Sequence, residues 1–235
     1  FRSLIEALDD SNIRVKQNAA WALGKFKAKG AVKKLIQLVN PEYAIFTTHG
    51  DVGGGDIIQN DEMKQQGVPN PDVIIKSIEA LGEIGDPRAL DVIYYALTMD
   101  DLDTVKSAAC LAVGKIGGGE ESAKKLIRPL NDPLWYIRRD AAIGLGKLQE
   151  ECAVPDLVKK LNDAYEEVKI NVLKALMSIG GSANIYLFKM FVKDPQNQPL
   201  KEHVAKIPKP ELKKILKEII KTETNENAKV AYEAF

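Results

Sequence analysis

Residues 47–56, with the sequence TTHGDVGGGD, hold one of the two histidines of the chain, two aspartates and four glycines. These residue types could build a phosphate-binding loop, a metal site or a catalytic loop. A phosphate-binding P-loop ends in Gly-Lys-Ser or Gly-Lys-Thr, and that ending is absent. The carboxylates do not have calcium-loop spacing, and no second histidine lies near His49. We therefore interpret the stretch as part of a segment that either contacts a partner or covers part of the rest of the chain, rather than as a reaction centre.

Charge and cysteine content exclude several classes of function. Lys+Arg and Asp+Glu are both 33, so no overall positive field attracts nucleic acid or an anionic membrane. Cys110 and Cys152 lie far apart without a CxxC partner, which favours free thiols in a reducing compartment. No apolar run reaches the roughly 18 residues of a membrane span. We expect a cytoplasmic protein that binds no cofactor, metal ion or nucleic acid.

The chain is built from an internal repeat. Five segments align without gaps, and nine residues after an aligned Val or Ile stand Gly24, Gly82, Gly114 and Gly146, with Met177 in the fifth place. Apolar and small residues recur at helical spacing in each segment, and a second apolar stretch follows, so each repeat is predicted to be a pair of helices. The aligned segments are IRVKQNAAWALGKF, DVIIKSIEALGEIG, DTVKSAACLAVGKIG, YIRRDAAIGLGKLQ and EVKINVLKALMSIG.

The segments DPLWYIRRDAAIGLGKLQ and IEALGEIGDPRALDVI resemble HEAT repeats of the phycobilisome-lyase subtype, and the resemblance covers about residues 4–192. It implies an all-α fold, a right-handed α-α superhelix of about five to six helix pairs. We expect one solenoid over residues 1–235, an irregular insertion at 41–69, and C-terminal helices at 193–235 that are capping helices or a partial further repeat. The opening residues resemble the second helix of a pair, so we also expect a fragment of a longer protein.

Two columns of charge accompany the repeats. An acid/base site and a structural ladder could both use aspartates beside cations. The periodicity favours a ladder, in which each Asp caps a helix and pairs with a cation of its own or a neighbouring repeat. The columns comprise Asp10, Asp100, Asp132 and Asp163, five residues before the aligned aliphatic position, and Lys16, Lys106, Arg138 and Lys169, one residue after it.

Glycine inside a helix costs about 1 kcal/mol relative to alanine, so the glycine column predicts close approach of the paired helix. Trp135 and Tyr136 could stack on a base or a chromophore. Because lyase-subtype repeats often carry an aromatic residue in the first turn, we interpret Trp135 as structural.

The second helices are expected to line the concave side of the solenoid, which is the usual binding surface. Their outer faces carry more cations than anions, which either keeps the surface soluble or recognises an acidic segment of another protein. The acidic insertion is a further candidate for partner contact. The residues predicted to bind a partner are Lys33, Lys34, Asp91, Tyr95, Lys124, Lys125, Arg128, Lys159, Lys160 and Lys189 on the second helices, and Phe46, His49, Asp51 and Asp56 in the insertion.

The sequence thus predicts a non-enzymatic scaffold or adaptor that binds another protein through the basic concave face and the insertion. One alternative is a phycobilin lyase-like subunit that handles a tetrapyrrole. Another is a DNA-binding or alkylpurine glycosylase-type protein, for which only Tyr95 near Asp91 provides an aromatic residue beside a carboxylate. HEAT-like iron hydroxylases carry His-Glu pairs, whereas His49 and His203 here precede Gly50 and Val204. No catalytic residue is predicted.

Overall fold

The computed structural model describes residues 1–40, 70–99 and 101–222, and in these ranges the only regular elements are helices and short 3-10 turns. The predicted all-α solenoid is confirmed, whereas the insertion at 41–69 lies outside the described residues. Five longer helices, called first helices here, alternate with shorter second helices. The first helices are α2 (Ile13–Lys25), α4 (Pro71–Ile84), α6 (Asp103–Ile116), α8 (Trp135–Leu148) and α10 (Glu166–Ile179), and the second helices are α3 (Val32–Val39), α5 (Leu90–Ala96), α7 (Gly119–Ile127), α9 (Val154–Lys160) and α11 (Asn184–Lys193). The remaining helices are α1 (Arg2–Glu6), α12 (Gln198–Val204) and α13 (Lys209–Thr222).

Local sequence signals fix where several helices begin and end. The Asn12 side chain accepts a hydrogen bond from a backbone N–H in the first turn of α2, and Asn70 does the same for α4, where a proline follows at the first position. Gly85 ends α4 in the left-handed conformation, with φ 71°. These signals fix where α2 and α4 begin and where α4 ends.

The glycine column brings consecutive first helices into backbone contact. A Cβ atom on Gly114 would lie 2.6 Å from the Cα of Gly144 in the next first helix. The other glycines face a small residue in the same way, so the expected close approach exists. The helix that approaches is the first helix of the next repeat, and not the second helix of the same repeat as predicted. The contacting pairs are Gly24 with Ala80, Gly82 with Ala112, and Gly146 with Ala175.

This packing decides the curvature of the array. Consecutive first helices pack together along the whole described array, whereas consecutive second helices contact each other at few positions. The spacing between repeats is therefore shortest on the side of the first helices, and the array curves towards them. The prediction that the second helices line the concave side is wrong, because the glycines have no side chain to hold the first helices apart.

A second small core closes the C-terminal side of the described array. Phe188 of α11 packs against Val204 of α12 and Leu216 of α13. A polar chain joins the same helices, because Asn184 Oδ1 lies 2.8 Å from His203 Nε2 and Asn184 Nδ2 donates to a Glu211 carboxylate oxygen at 2.8 Å. Residues 223–235, in which a further helix is predicted, lie outside the described residues.

Candidate functional site

An open groove of about 730 Å³ crosses the first helices α4, α6, α8 and α10. Gly82, Gly114 and Gly146 lie at its floor, where each is buried against the backbone of the next first helix. Ala142 and Ile143 of α8 add an apolar centre. The groove lies on the concave side, so a ligand there contacts several repeats at once.

The titratable side chains around the groove are mainly cationic. They are Lys27, Lys115, Lys147 and Lys174, against a single carboxylate, that of Glu83. Lys115 and Lys147 stand in the last turns of α6 and α8, where cations stabilise the negative end of the helix dipole. The helix dipole favours a lysine at each of these positions, and the curvature of the array brings both lysines to the groove.

One ion pair within the groove is already made. Lys115 Nζ donates to Glu83 Oε1 at 2.7 Å, and this hydrogen bond, assisted by the positive charges of Lys25 and Lys147, holds the pKa of Glu83 below its usual value. Glu83 is therefore ionised, and its carboxylate is already paired with Lys115. Lys147 and Lys174 form no salt bridge to any residue in the described ranges, which leaves the α8–α10 end of the groove with unmatched positive charge.

Polar groups complete that end of the groove. The residue after α8, Gln149, adopts a left-handed conformation with φ 58°, and its amide donates to the Ser178 carbonyl oxygen at 2.9 Å and lies 3.0 Å from the Ser178 hydroxyl. Asn171 also lines the groove. With Lys147 and Lys174 nearby, this end can bind carboxylates or another anionic group.

The structure does not bring the predicted partner-binding residues to this groove. Those on the second helices lie on the other layer of the solenoid, and none of them lines the groove. Three of the lysines pair locally: Lys34 with Asp9 at 2.5 Å, Lys124 with Glu120 at 2.7 Å, and Lys159 with Asp156 at 2.9 Å. Lys125 Nζ lies 5.6 Å from the centroid of the Tyr94 ring. Their role in binding stays a prediction.

The remaining predicted residues have three different positions. Asp91 and Tyr95 stand on α5, exposed and away from the groove. Arg128 lies at a second cavity of about 530 Å³, beside Lys106 and Asp132. The four predicted residues of the insertion, Phe46, His49, Asp51 and Asp56, lie outside the described residues.

Two pairs of the predicted charge ladder are structural contacts, whereas Lys169 pairs with Glu166 instead. The predicted helix capping by the aspartates is wrong for α8 and α10, because their N-cap residues are Leu134 and Tyr165 and no side chain caps either helix. Arg138 donates to both carboxylate oxygens of Asp163, at 2.7 and 2.8 Å, and Lys106 donates to Asp132 at 3.2 Å. Both pairs join neighbouring repeats and are largely buried. The hydrogen bond from Arg138 lowers the pKa of Asp163, so the pair stays ionised.

The predicted aromatic site at Trp135 and Tyr136 lies where two neighbouring repeats contact each other. Trp135 stacks on Tyr165 of the next repeat, with ring centroids 5.7 Å apart, and Arg139 lies 5.3 Å from the Trp135 ring. Tyr136 meets Trp135 edge-on, at 6.1 Å. Trp135 is therefore interpreted as structural, as the sequence suggested.

Sequence reasoning missed the groove lysines because it examined only the second helices. Aligning the first helices would have found two of the four, since Lys115 and Lys147 each follow a column glycine directly. Both cysteines are free, as predicted, with Cys110 buried and Cys152 partly exposed. Within the described ranges, no cluster of His, Cys, Asp and Glu could hold a metal ion. In the same ranges, no helix has the length and apolar character needed to cross a membrane.

Comparison with known proteins agrees with this architecture. HEAT repeats match residues 65–133 and 123–207, and a HEAT repeat also matches residues 1–28. The sequence matches no curated protein. A chain in the structure of the complex of CpcE and CpcF of phycocyanin lyase from Nostoc sp. has a TM-score of 0.57 and 20% identity, with 84% of this chain and 71% of that chain covered.

Two engineered proteins are similar over 98% of this chain. Their TM-scores are 0.54 and 0.51, their identities 17% and 19%, and the match covers 66% and 96% of their own chains, respectively. Identities this low establish a common fold and nothing further. The HEAT repeats matched in sequence span more than half of the chain, and the protein therefore belongs to the HEAT-repeat family.

Proposed function

We propose that this HEAT-repeat chain is a non-enzymatic scaffold that binds an acidic segment of another protein in the groove across its first helices. The observation that carries this proposal is the excess of lysines over carboxylates around a glycine floor. Unmatched cations favour a ligand of opposite charge.

The dimensions of the groove favour an extended segment. Packed helices lie about 8–10 Å apart, so the axes of four first helices span roughly 24–30 Å. An extended chain rises about 3.3 Å per residue, so about eight residues cross the groove. Carboxylates of such a segment would meet Lys147 and Lys174 at one end, where amide and hydroxyl groups can add hydrogen bonds.

Affinity capture with three forms of the chain tests this proposal and separates it from the second-helix surface. The forms are the unchanged chain, the groove variant Lys147→Glu/Lys174→Glu, and the matched control Lys33→Glu/Lys159→Glu. The two variants change net charge equally, so a nonspecific charge effect weakens binding in both. We expect the groove variant alone to lose a captured protein, and loss in the control alone would place the partner on the second helices.

Direct binding of the captured protein then tests the role of charge. Raising salt from about 0.05 to 0.3 M shortens the Debye length to well below about 10 Å and should weaken binding to the unchanged chain strongly. Binding that does not depend on salt would refute recognition of an acidic segment. The acidic insertion at 41–69 can be tested in the same assay, by replacing residues 44–66 with a Gly-Ser linker.

An enzymatic role is the alternative, and its support is the similarity to a chain of the phycocyanin lyase complex. In that case the chain would handle a tetrapyrrole, and the groove would hold an extended planar ligand with carboxylates. Mixing the purified chain with a bilin tests this directly, because a bound bilin changes its visible absorbance. An unchanged spectrum would leave the scaffold function as the better supported one.

A further inference from the structure

The charges of the groove are unevenly distributed along its length. In its middle, Glu83 and Lys115 are paired at 2.7 Å, and Ala142 and Ile143 add apolar surface beside them. A ligand carboxylate placed there would meet a like charge on Glu83 and a lysine that is already paired. The middle of the groove therefore favours neutral groups, and the anionic groups of a ligand must lie towards its ends.

The α2 end of the groove is cationic, as the α8–α10 end is. Lys27 follows α2 and lines the groove. The pKa of Glu83, lowered first by its hydrogen bond from Lys115, is lowered further by the positive charge of Lys25, so Lys25 also lies near the groove. Within the described part of the chain, neither Lys25 nor Lys27 forms a salt bridge. Both can therefore bind an anionic group of a ligand.

Backbone conformation singles out one side chain at each end of the groove. Among the described residues, Lys27 and Gln149 are the two non-glycine residues with positive φ, at 49° and 58°, and both line the groove. The equivalent residues after the other first helices are Gly85, Gly117 and Gly180, which adopt this conformation without a steric cost. Strained residues of this kind cluster at binding sites. No hydrogen bond or ion pair of the Lys27 side chain to a described residue offsets the strain, so contact with a ligand accounts for it better than the fold does.

An exposed tryptophan adjoins the lysines at the α2 end. Trp21 is 57% exposed, and it stands one helical turn before Lys25 on the same side of α2. The residues aligned with Trp21 in α8 and α10 are Ile143 and Lys174, which line the groove, so Trp21 faces the same side of the array. Tryptophan is enriched among the residues that contribute most to binding between proteins. The α2 end thus combines an aromatic surface with two cations.

We infer that the groove binds a protein segment with two acidic groups, one at each end of the groove, separated by neutral residues. The α2 subsite consists of Trp21, Lys25 and Lys27, and the α8–α10 subsite of Lys147, Gln149 and Lys174. This inference rests on the proposed function and adds the spacing of the charges. Three helix spacings of about 8–10 Å separate α2 from α8, or roughly 24–30 Å. At about 3.3 Å per residue, the two acidic groups stand about eight residues apart in an extended segment.

Two synthetic peptides of about ten residues and identical composition test the spacing. The end-paired peptide has two glutamates at each end and neutral glycine, serine, alanine and leucine residues between, whereas the central peptide has all four glutamates in the middle. Binding to the full chain is measured at about 0.05 M salt by fluorescence anisotropy of a dye on the peptide. We expect the end-paired peptide to bind about tenfold more tightly than the central one. The unlabelled end-paired peptide should also change the tryptophan fluorescence of the chain, and Trp21→Phe should abolish that change.

The outcomes separate this inference from the proposed function. Equal binding of the two peptides, weakened by salt and by Lys147→Glu/Lys174→Glu, would leave the proposed function standing and overturn the inference of two subsites. If neither peptide binds at up to about 1 mM, recognition of an acidic segment fails, and the inference fails with it. Tighter binding of the central peptide would also overturn the inference, because the middle of the groove would then be the anionic site.

Replacing Lys27 with glycine distinguishes a binding role from a structural one. Glycine adopts positive φ without strain, so Lys27→Gly should raise the melting temperature by about 2 °C while weakening binding of the end-paired peptide about threefold. The control Lys217→Gln also removes one charge, from the exposed side of α13, and should leave the peptide affinity unchanged. A lower melting temperature of Lys27→Gly would overturn the inference, because Lys27 would then serve the fold. An affinity unchanged by Lys27→Gly, or lowered equally by Lys217→Gln, would overturn it as well.

Discussion

Replacing Gly114 with alanine tests whether backbone contact between first helices holds the array together. The added Cβ would lie 2.6 Å from the Cα and 2.9 Å from the carbonyl oxygen of Gly144. Both obstacles are backbone atoms of a helix, which cannot rotate away as a side chain can. The α6 and α8 helices must therefore move apart along their contact.

The expected cost follows from two opposing effects. Alanine in place of glycine favours a helix by about 1 kcal/mol. Overpacking a well-filled interface costs about 1–3 kcal/mol, and the upper part of that range applies where the obstacle is backbone. We expect Gly114→Ala to lower the free energy of unfolding by about 2 kcal/mol, and the melting temperature by about 4–8 °C.

Alanine variants at two other glycines should lower the free energy of unfolding by different amounts, according to how closely the next atom lies. A Cβ on Gly82 would meet Ala112 Cα at 3.0 Å, so Gly82→Ala should cost less than Gly114→Ala. A Cβ on Gly30 would meet only the Ile5 side chain, at 3.9 Å, so Gly30→Ala should be neutral or slightly stabilising. The assay is thermal unfolding followed by circular dichroism at 222 nm. Equal melting temperatures for all three variants would refute the argument that helix contact, and not helix propensity, decides the outcome.

Three further predictions concern titratable groups. Asp163→Asn keeps an acceptor for the Tyr165 backbone N–H but leaves the buried Arg138 guanidinium without a carboxylate, so urea unfolding should reveal a loss of about 3 kcal/mol. Glu120→Gln at an exposed pair should leave the stability almost unchanged. Burial lowers the pKa of His203, so the unfolded chain binds more protons below about pH 6.5. Stability should therefore fall as the pH drops from 7 to 5.5, and His203→Gln should reduce that slope. Burial raises the pKa of both thiols, so a disulfide reagent should modify Cys152 slowly in the native chain and Cys110 only after unfolding.

The repeat could be predicted from sequence because its determinants are local and periodic. The glycine column, the aspartates before the first helices and the aliphatic positions recur at nearly constant spacing, and each has a physical reason to do so. Asp163 and Arg138 were assigned to a ladder on spacing alone, and the structure places them in contact.

The curvature could not be predicted in the same way. Periodicity identifies which residues face the core, but it does not tell which of two helix layers is more closely spaced. That depends on distances between helices, which Gly114 and Gly144 set by backbone contact. The groove lysines on the first helices were therefore not among the predicted residues. The polar chain through His203 was missed because its members are far apart in sequence and follow no repeat.

The second repeat distinguishes the effects of the two features that join consecutive first helices, the glycine contacts and the charge ladder. In that repeat the ladder positions are Val68 and Ile74, so neither the aspartate nor the cation is present. Gly24 nevertheless packs on Ala80, and α2 lies against α4 as closely as the other first helices lie against one another. Backbone contact at glycine thus occurs between α2 and α4 without the charge ladder. At the other end, where Met177 replaces the glycine, the regular stacking stops at α10 and a different packing through α12 and α13 begins. The glycine contacts therefore accompany the regular stacking of first helices at every described junction, and the charge ladder adds ion pairs at the α6–α8 and α8–α10 junctions.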